Sequence, residues 1–159
     1  MGCMRSLVQV QSPRPVGKTD RPGESPPWHN QDMKIRTGCD LVSMARFEKM
    51  LETSPNLLER VFLPSEQSST IKADDQNRLA HLAGIFAAKE AVMKALGIAA
   101  GEWQNIEISY EQNGRPKVHL GQVGVSNNAL PNQSRAPEID VSISHAGGFA
   151  LAVAVVAVH

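Results

Sequence analysis

One stretch constrains this chain more than any other: residues 78–96 carry Leu79, Leu82, Ala83, Phe86 and Met93 at spacings of three and four. That period matches one side of an α-helix and suits no strand. Gly97 follows where a helix C-terminal cap belongs. So long a helix needs an apolar cover, and the segments around it supply one by alternating with a period of two. Residues 34–40 read as a short strand. Ile106, Ile108 and Tyr110 alternate with Asn105, Glu107 and Ser109; Asn113-Gly114 then signals a turn, and Val118 and Leu120 continue the pattern on the return. Ile139, Val141 and Ile143 alternate with Asp140, Ser142 and Ser144 before a Gly147-Gly148 turn and an all-apolar run, residues 149–158. Residues 43–51 read as a second helix with Met44, Phe47 and Leu51 along one side. Residues 55–69 look looser, broken by Pro55 and Pro64, and residues 121–129 read as a short helix. Hairpins kept separate from helices predict an α+β domain, an antiparallel sheet packed on a long central helix. No internal repeat interrupts it.

The 159 residues suit one domain with a real core. Residues 1–32 differ from the rest: Ser12-Pro13-Arg14-Pro15 and the segment 22–27 hold turn formers and almost no periodic apolar residues. They lack the apolar stretch of a secretory signal, so they read as a disordered leader, with a cleaved organelle-targeting segment open, or as a misassigned start with Met33 the true beginning. The domain itself is residues 33–159. Sixteen basic and sixteen acidic residues balance, so no global charge draws the chain to nucleic acid or an anionic membrane. An anionic substrate must be held by a local site. Cys3 and Cys39 form neither a disulfide framework nor a zinc motif, which fits a reducing cytosol. The apolar run 149–158 is too short to span a bilayer.

Glu90 is the most informative polar residue. Steps of three and four from Leu79 through Ala83 and Phe86 reach Glu90, then Met93 or Lys94, then Gly97. A carboxylate on an inward stripe must be paired, protonated or bound to a cation. The plainer arrangement is a surface ion pair between Glu90 and Lys94, and position alone favours it. Asp40 closes the first strand, where a sheet presents polar groups to a cleft. It could equally cap the following helix, although Ser43 lies nearer the helix start. His145 ends a strand before the Gly-Gly turn, where it can donate to a phosphate or an adenine edge, or simply be solvated. Lys89 and Lys94 present two cations from one helix, useful for a pyrophosphate, although helix lysines are usually just solvated.

Taken together and in order, these residues resemble the holo-acyl-carrier-protein synthases, the short trimeric class of phosphopantetheinyl transferases. Gly38-Cys39-Asp40 matches the family's Gly-x-Asp strand end. Phe86 through Gly97 match its Phe-x-x-Lys-Glu-x-x-x-Lys-x-x-Gly helix. Trp103 through Ile108 match Trp-x-x-Ile-Glu-Ile, Gly114-Arg115-Pro116 matches Gly-x-Pro, and Ser142 through His145 match Ser-x-Ser-His. The resemblance covers residues 33–158. It implies the phosphopantetheinyl transferase fold and, for fatty acid biosynthesis, transfer of 4′-phosphopantetheine from coenzyme A to a serine of apo acyl carrier protein, releasing 3′,5′-ADP. It further implies Mg²⁺ held by Asp40 and Glu90, with the pyrophosphate completing the shell. Lys94 and Lys89 would add charge at the phosphates. Lys89, Lys94, Gly97, Pro116, Ser144 and His145 would hold coenzyme A, and Glu90 acting through a water is the candidate base. Arg46 and Arg60 stand where the family meets its acidic carrier. A cytoplasmic homotrimer is implied, with the C-terminal strand at its seam.

Three positions depart from the pattern: Ile85 where Arg is common, Asn105 where Asp is frequent, and Ala146 where Ser or Thr often follows the histidine. Restoring Arg at position 85 is expected to tighten coenzyme A binding. The competing class is a non-catalytic carrier- or coenzyme-A-binding module of the same fold, against which intact Asp40, Glu90 and Lys94 argue.

Overall fold

In the computed structural model, which describes residues 33–68, 74–121 and 136–158, ten elements follow the chain. They are β1 (Lys34–Ser43), α1 (Met44–Thr53), α2 (Leu57–Val61), α3 (Pro64–Ser68), α4 (Asp75–Leu96), a 3-10 turn (Trp103–Asn105), β2 (Ile106–Tyr110), β3 (Pro116–Leu120), β4 (Glu138–Ala146) and β5 (Phe149–Val158). Residues 1–32 and the expected helix at 121–129 lie outside the described residues, Gly121 excepted. No helix among the described residues is long and apolar enough to cross a membrane.

The long helix α4 starts three residues earlier than its apolar spacing suggests. Asp74 caps it by accepting from the Asn77 N–H at 2.8 Å, so helical geometry is already set at Asp75. Its end is the expected one. Gly97 takes φ of +72°, and the Ile98 N–H reaches back to the Met93 carbonyl at 2.9 Å, the closing bond of a Schellman cap.

Against α4 lies a three-stranded antiparallel sheet in the order β1-β5-β4. Ala150, Ala152, Ala154, Val156 and Val158 on β5 point inward, meeting Ala87, Ala88, Ala91 and Ala95 of the helix in a core of small side chains. Small residues let sheet and helix approach closely, most of all at Gly38. A Cβ there would collide with the Ala91 carbonyl oxygen and sit 2.7 Å from the Ala95 nitrogen. On the other face of the sheet Ile35, Leu41, Phe149, Leu151, Val153 and Val155 are all exposed, Leu41 at 62%. β2 and β3 form a separate two-stranded sheet.

Two parts differ from the sequence reading. The looser region holds two five-residue helices, α2 and α3, and Pro64 opens α3, a position where its missing N–H costs nothing. Nor does α4 have a single inward stripe. From Leu82 to Leu96 it is buried on most sides, and the line Phe86, Glu90, Lys94, Gly97 is its more open edge.

Candidate active site

The close approach at Gly38 builds the site. Alternation along β1 puts Asp40 on the same face as Gly38, and that face meets the last turns of α4. Asp40 Oδ1 accepts from Lys94 Nζ at 2.7 Å, and the Cys39 carbonyl accepts from the same ammonium at 3.0 Å. Asp40 is mostly covered and Lys94 half exposed. The bond to Asp40, aided by the charges of Asp40 and Glu90, raises the Lys94 pKa above its ordinary value. One ammonium therefore answers to both carboxylates. The expected i,i+4 ion pair between Glu90 and Lys94 does not form, because Lys94 turns to the strand instead. Ser43, as anticipated, takes the cap of α1 by accepting from the Arg46 N–H, so Asp40 is left to the cleft.

Glu90 has a different partner. Its Oε1 accepts from the Trp103 indole N–H at 2.6 Å. Glu90 Oε2 and Asp40 Oδ2 have no hydrogen-bond partner among the described residues. No cluster of three or more histidine, cysteine or carboxylate side chains suited to a metal occurs among the described residues. Two carboxylates with one open oxygen each suit a hard dication that draws its remaining ligands from phosphate and water, the preference of Mg²⁺. The residues fit that ion.

Asp40 also lines a cleft of about 120 Å³ with Leu41, Val42, Ser43, Arg46, Phe47 and Phe86. Arg46 is thus exposed on α1 beside the carboxylate, while Arg60 sits exposed on α2. Larger depressions lie elsewhere, one of about 340 Å³ between α1 and the start of α4, and another of about 360 Å³ beside Arg115. Neither touches Asp40 or Glu90.

Lys89 corrects the expectation of a second phosphate cation. It is fully buried, and its ammonium meets Glu66 Oε2 at 2.7 Å, the Val61 carbonyl at 2.7 Å and the Trp103 carbonyl at 3.1 Å. An ammonium has three N–H donors, and all three are spoken for. Burial lowers the Lys89 pKa, and Glu66 opposes that shift. Glu66 accepts further from the Leu63 and Ile108 N–H groups, each at 2.8 Å. The pair is a strut joining α3, α4 and β2.

The remaining expected site residues stand apart from Asp40 and Glu90 within one chain. His145 bonds the Ala80 carbonyl at 2.9 Å and presses on Gly84, six residues before Glu90. Six helical residues rise about 9 Å. Ser144 pairs with Leu151 on the exposed side of the sheet, and Pro116 begins β3, next to Arg115, which grips Asp140 through both oxygens. Gly97 is the exposed cap of α4. Ile85 is wholly buried, so an arginine there would place its charge inside the core, and the expected gain in coenzyme A affinity is withdrawn.

Residues 36–154 match the family model of the 4′-phosphopantetheinyl transferase superfamily. A holo-[acyl-carrier-protein] synthase of Moorella thermoacetica is 44% identical over 126 residues, covering 77% of this chain and 93% of the relative. The crystal structure of the Helicobacter pylori holo-[acyl-carrier-protein] synthase in complex with coenzyme A is 34% identical. Its TM-score is 0.61 over 76% of this chain and 98% of that one. A holo-(acyl-carrier-protein) synthase structure from Bacillus anthracis, in complex with CoA (3′,5′-ADP), is 28% identical with a TM-score of 0.64, over 79% and 97%.

Proposed function

The chain belongs to the 4′-phosphopantetheinyl transferase superfamily as a holo-acyl-carrier-protein synthase, and from that premise we propose that Asp40, Glu90 and Lys94 form the centre of its transfer reaction. The reaction moves 4′-phosphopantetheine from coenzyme A to the serine of an apo acyl carrier protein. The serine oxygen bonds to the β-phosphorus, the bond from that phosphorus to the bridging oxygen breaks, 3′,5′-ADP leaves, and the serine proton passes to a base.

The observation that carries the assignment is that Asp40 and Glu90 each keep one carboxylate oxygen without a partner among the described residues, while the charges of both act on the Lys94 ammonium. These two carboxylates would hold Mg²⁺. When bound, the ion offsets the negative charge that gathers on the phosphates during transfer. Lys94 contributes in the same sense. Its ammonium is already fixed at the site by Asp40 and the Cys39 carbonyl, so it stabilises developing phosphate charge with little reorganisation. Glu90, positioned beside the reacting groups, takes the serine proton through a water. Arg46, on the same cleft as Asp40, meets the acidic carrier, and so does Arg60, exposed on α2.

The coenzyme A site is completed by a second copy of the chain in a homotrimer. Two features support this. A cleft of about 120 Å³ is smaller than the roughly 300 Å³ at which ligand pockets begin. Pro116 and Ser144 lie away from Asp40 in their own chain, and beside Ser144 runs an apolar sheet face whose large side chains are exposed. Such a face is what a subunit interface requires. Residues 33–159 make up the transferase domain, a cytoplasmic one, and residues 1–32 stand outside it.

Substitution tests the centre directly. Asp40→Asn and Glu90→Gln should each abolish transfer while circular dichroism and the melting temperature stay close to those of the parent. Near-normal turnover by either variant in saturating Mg²⁺ would overturn the assignment.

A further inference from the structure

Glu90 is a flexible side chain on the open edge of α4, yet a metal-holding carboxylate must keep its orientation. A free glutamate rotamer would cost affinity each time it is frozen. In this chain the freezing is done in advance by Trp103. Its indole N–H donates to Glu90 Oε1 at 2.6 Å, which leaves Oε2 as the Glu90 oxygen without a hydrogen-bond partner among the described residues. An indole N–H is a donor with no acceptor capacity, so it can serve a carboxylate and would be of no use to a cation.

Trp103 is itself held at two points. The Phe86 ring, one turn before Glu90 on the same helix edge, lies 6.2 Å from it, centroid to centroid. The Trp103 carbonyl accepts from the buried Lys89 ammonium at 3.1 Å. Lys89 is locked in turn by Glu66, whose two oxygens also take the Leu63 and Ile108 N–H groups. A continuous chain of contacts thus runs from the core strut through Trp103 to Glu90. Lys89 and Glu90 are adjacent in sequence and point to different sides of the helix, so Lys89 reaches its neighbour's carboxylate only by way of the tryptophan.

We propose that Trp103 is a positioning residue for Glu90, anchored by the Lys89–Glu66 pair, and that its N–H fixes which oxygen of Glu90 is offered to the metal. The inference rests on the reading of Glu90 as a metal-holding carboxylate and adds the residue that orients it.

The test uses the full chain, with Mn²⁺ as the probe. Free Mn²⁺ is counted by electron paramagnetic resonance while the ion is titrated into protein saturated with coenzyme A. Trp103→Phe keeps an aromatic ring and loses the N–H. Outer partners of metal ligands typically account for 10–100-fold in affinity, so Mn²⁺ binding should weaken about 10-fold. Coenzyme A binding without metal should be unchanged. A tryptophan that matters only for packing would lower the melting temperature and leave the Mn²⁺ affinity alone, and that outcome overturns the proposal. A second measurement covers a Trp103→Phe chain that fails to fold. Trp28→Phe leaves Trp103 as the sole tryptophan, and its fluorescence should be quenched by Mn²⁺ and should shift on Glu90→Gln. Emission indifferent to both would again overturn it. If the parent protein binds no Mn²⁺ at all, the metal assignment falls and takes this inference with it. If the parent binds and Trp103→Phe binds equally well, only the positioning role is lost.

Discussion

Removing the Lys89 ammonium, as in Lys89→Met, should unfold this protein sooner rather than weaken its hold on substrate. Lys89 has no exposed side-chain surface, and Glu66 has almost none. The methionine fills most of the space but leaves Glu66 as a buried anion without its ammonium, still accepting from the Leu63 and Ile108 N–H groups. The Val61 and Trp103 carbonyls lose a donor as well. Breaking one partner of a buried pair typically costs about 3–5 kcal/mol. For a domain of this size each kcal/mol lowers the melting temperature by about 4 °C, so the expected fall is roughly 12–20 °C. Adding Glu66→Gln removes the bare charge, and the double variant should lose less than the two single losses added, by about 1–3 kcal/mol. Urea unfolding of all four proteins measures the cycle, and coenzyme A kinetics run beside it. If Lys89→Met melts like the parent and instead raises the KM for coenzyme A, Lys89 reaches the phosphates after all and the buried strut is wrong.

Ile85→Arg should lower the melting temperature without tightening coenzyme A binding, since the side chain it replaces is fully buried; calorimetry beside a thermal melt reads both. Arg46→Glu or Arg60→Glu should raise the KM for carrier protein several-fold with kcat and the coenzyme A KM little changed. The parent's carrier KM should also climb with salt, because exposed charge attraction is screened within about 8–10 Å at physiological ionic strength. The His81 pKa is held below its ordinary 6.5 by burial and then by the charge of His145. The unfolded chain therefore binds the extra proton first, and stability should be lost as pH falls below 6.5 towards the folded value. Melting curves of His81→Gln across that range should show a shallower acid decline, and an unchanged slope would contradict the assignment.

The sequence spoke most clearly where structure is local. Helix α4, its glycine cap and the two hairpins are signalled by neighbouring residues, and Asp40 stands out at a strand end, whereas the spacing that drew attention to Glu90 placed it on an inward stripe and it lies on the open edge. What it hid depends on distant partners. Glu66 sits in the polar run 65–69 and looks solvated, but its burial is decided by Leu63, Lys89 and Ile108, up to 42 residues away. The five-residue helices α2 and α3 are too short for a period to register. The open edge of α4 was obscured because a helix buried on most sides carries apolar residues all round. Helical geometry alone separates the two lysines. Lys89 and Lys94 are five residues apart, and at about 100° per residue they point some 140° away from each other, so they could not serve one pyrophosphate together. For Trp103 no sequence pattern predicts which carboxylate its N–H meets.

On the proposed reading, this chain loads a carrier protein through a metal held by Asp40 and Glu90. Intact-mass spectrometry of an apo acyl carrier protein incubated with the purified chain, coenzyme A and Mg²⁺ tests it most directly. The carrier should gain one phosphopantetheine mass on its serine, 3′,5′-ADP should accumulate in equal amount, and both products should vanish when the metal is chelated. A carrier of unchanged mass with Mg²⁺ present, or one that gains the mass equally well in a metal chelator, would contradict it.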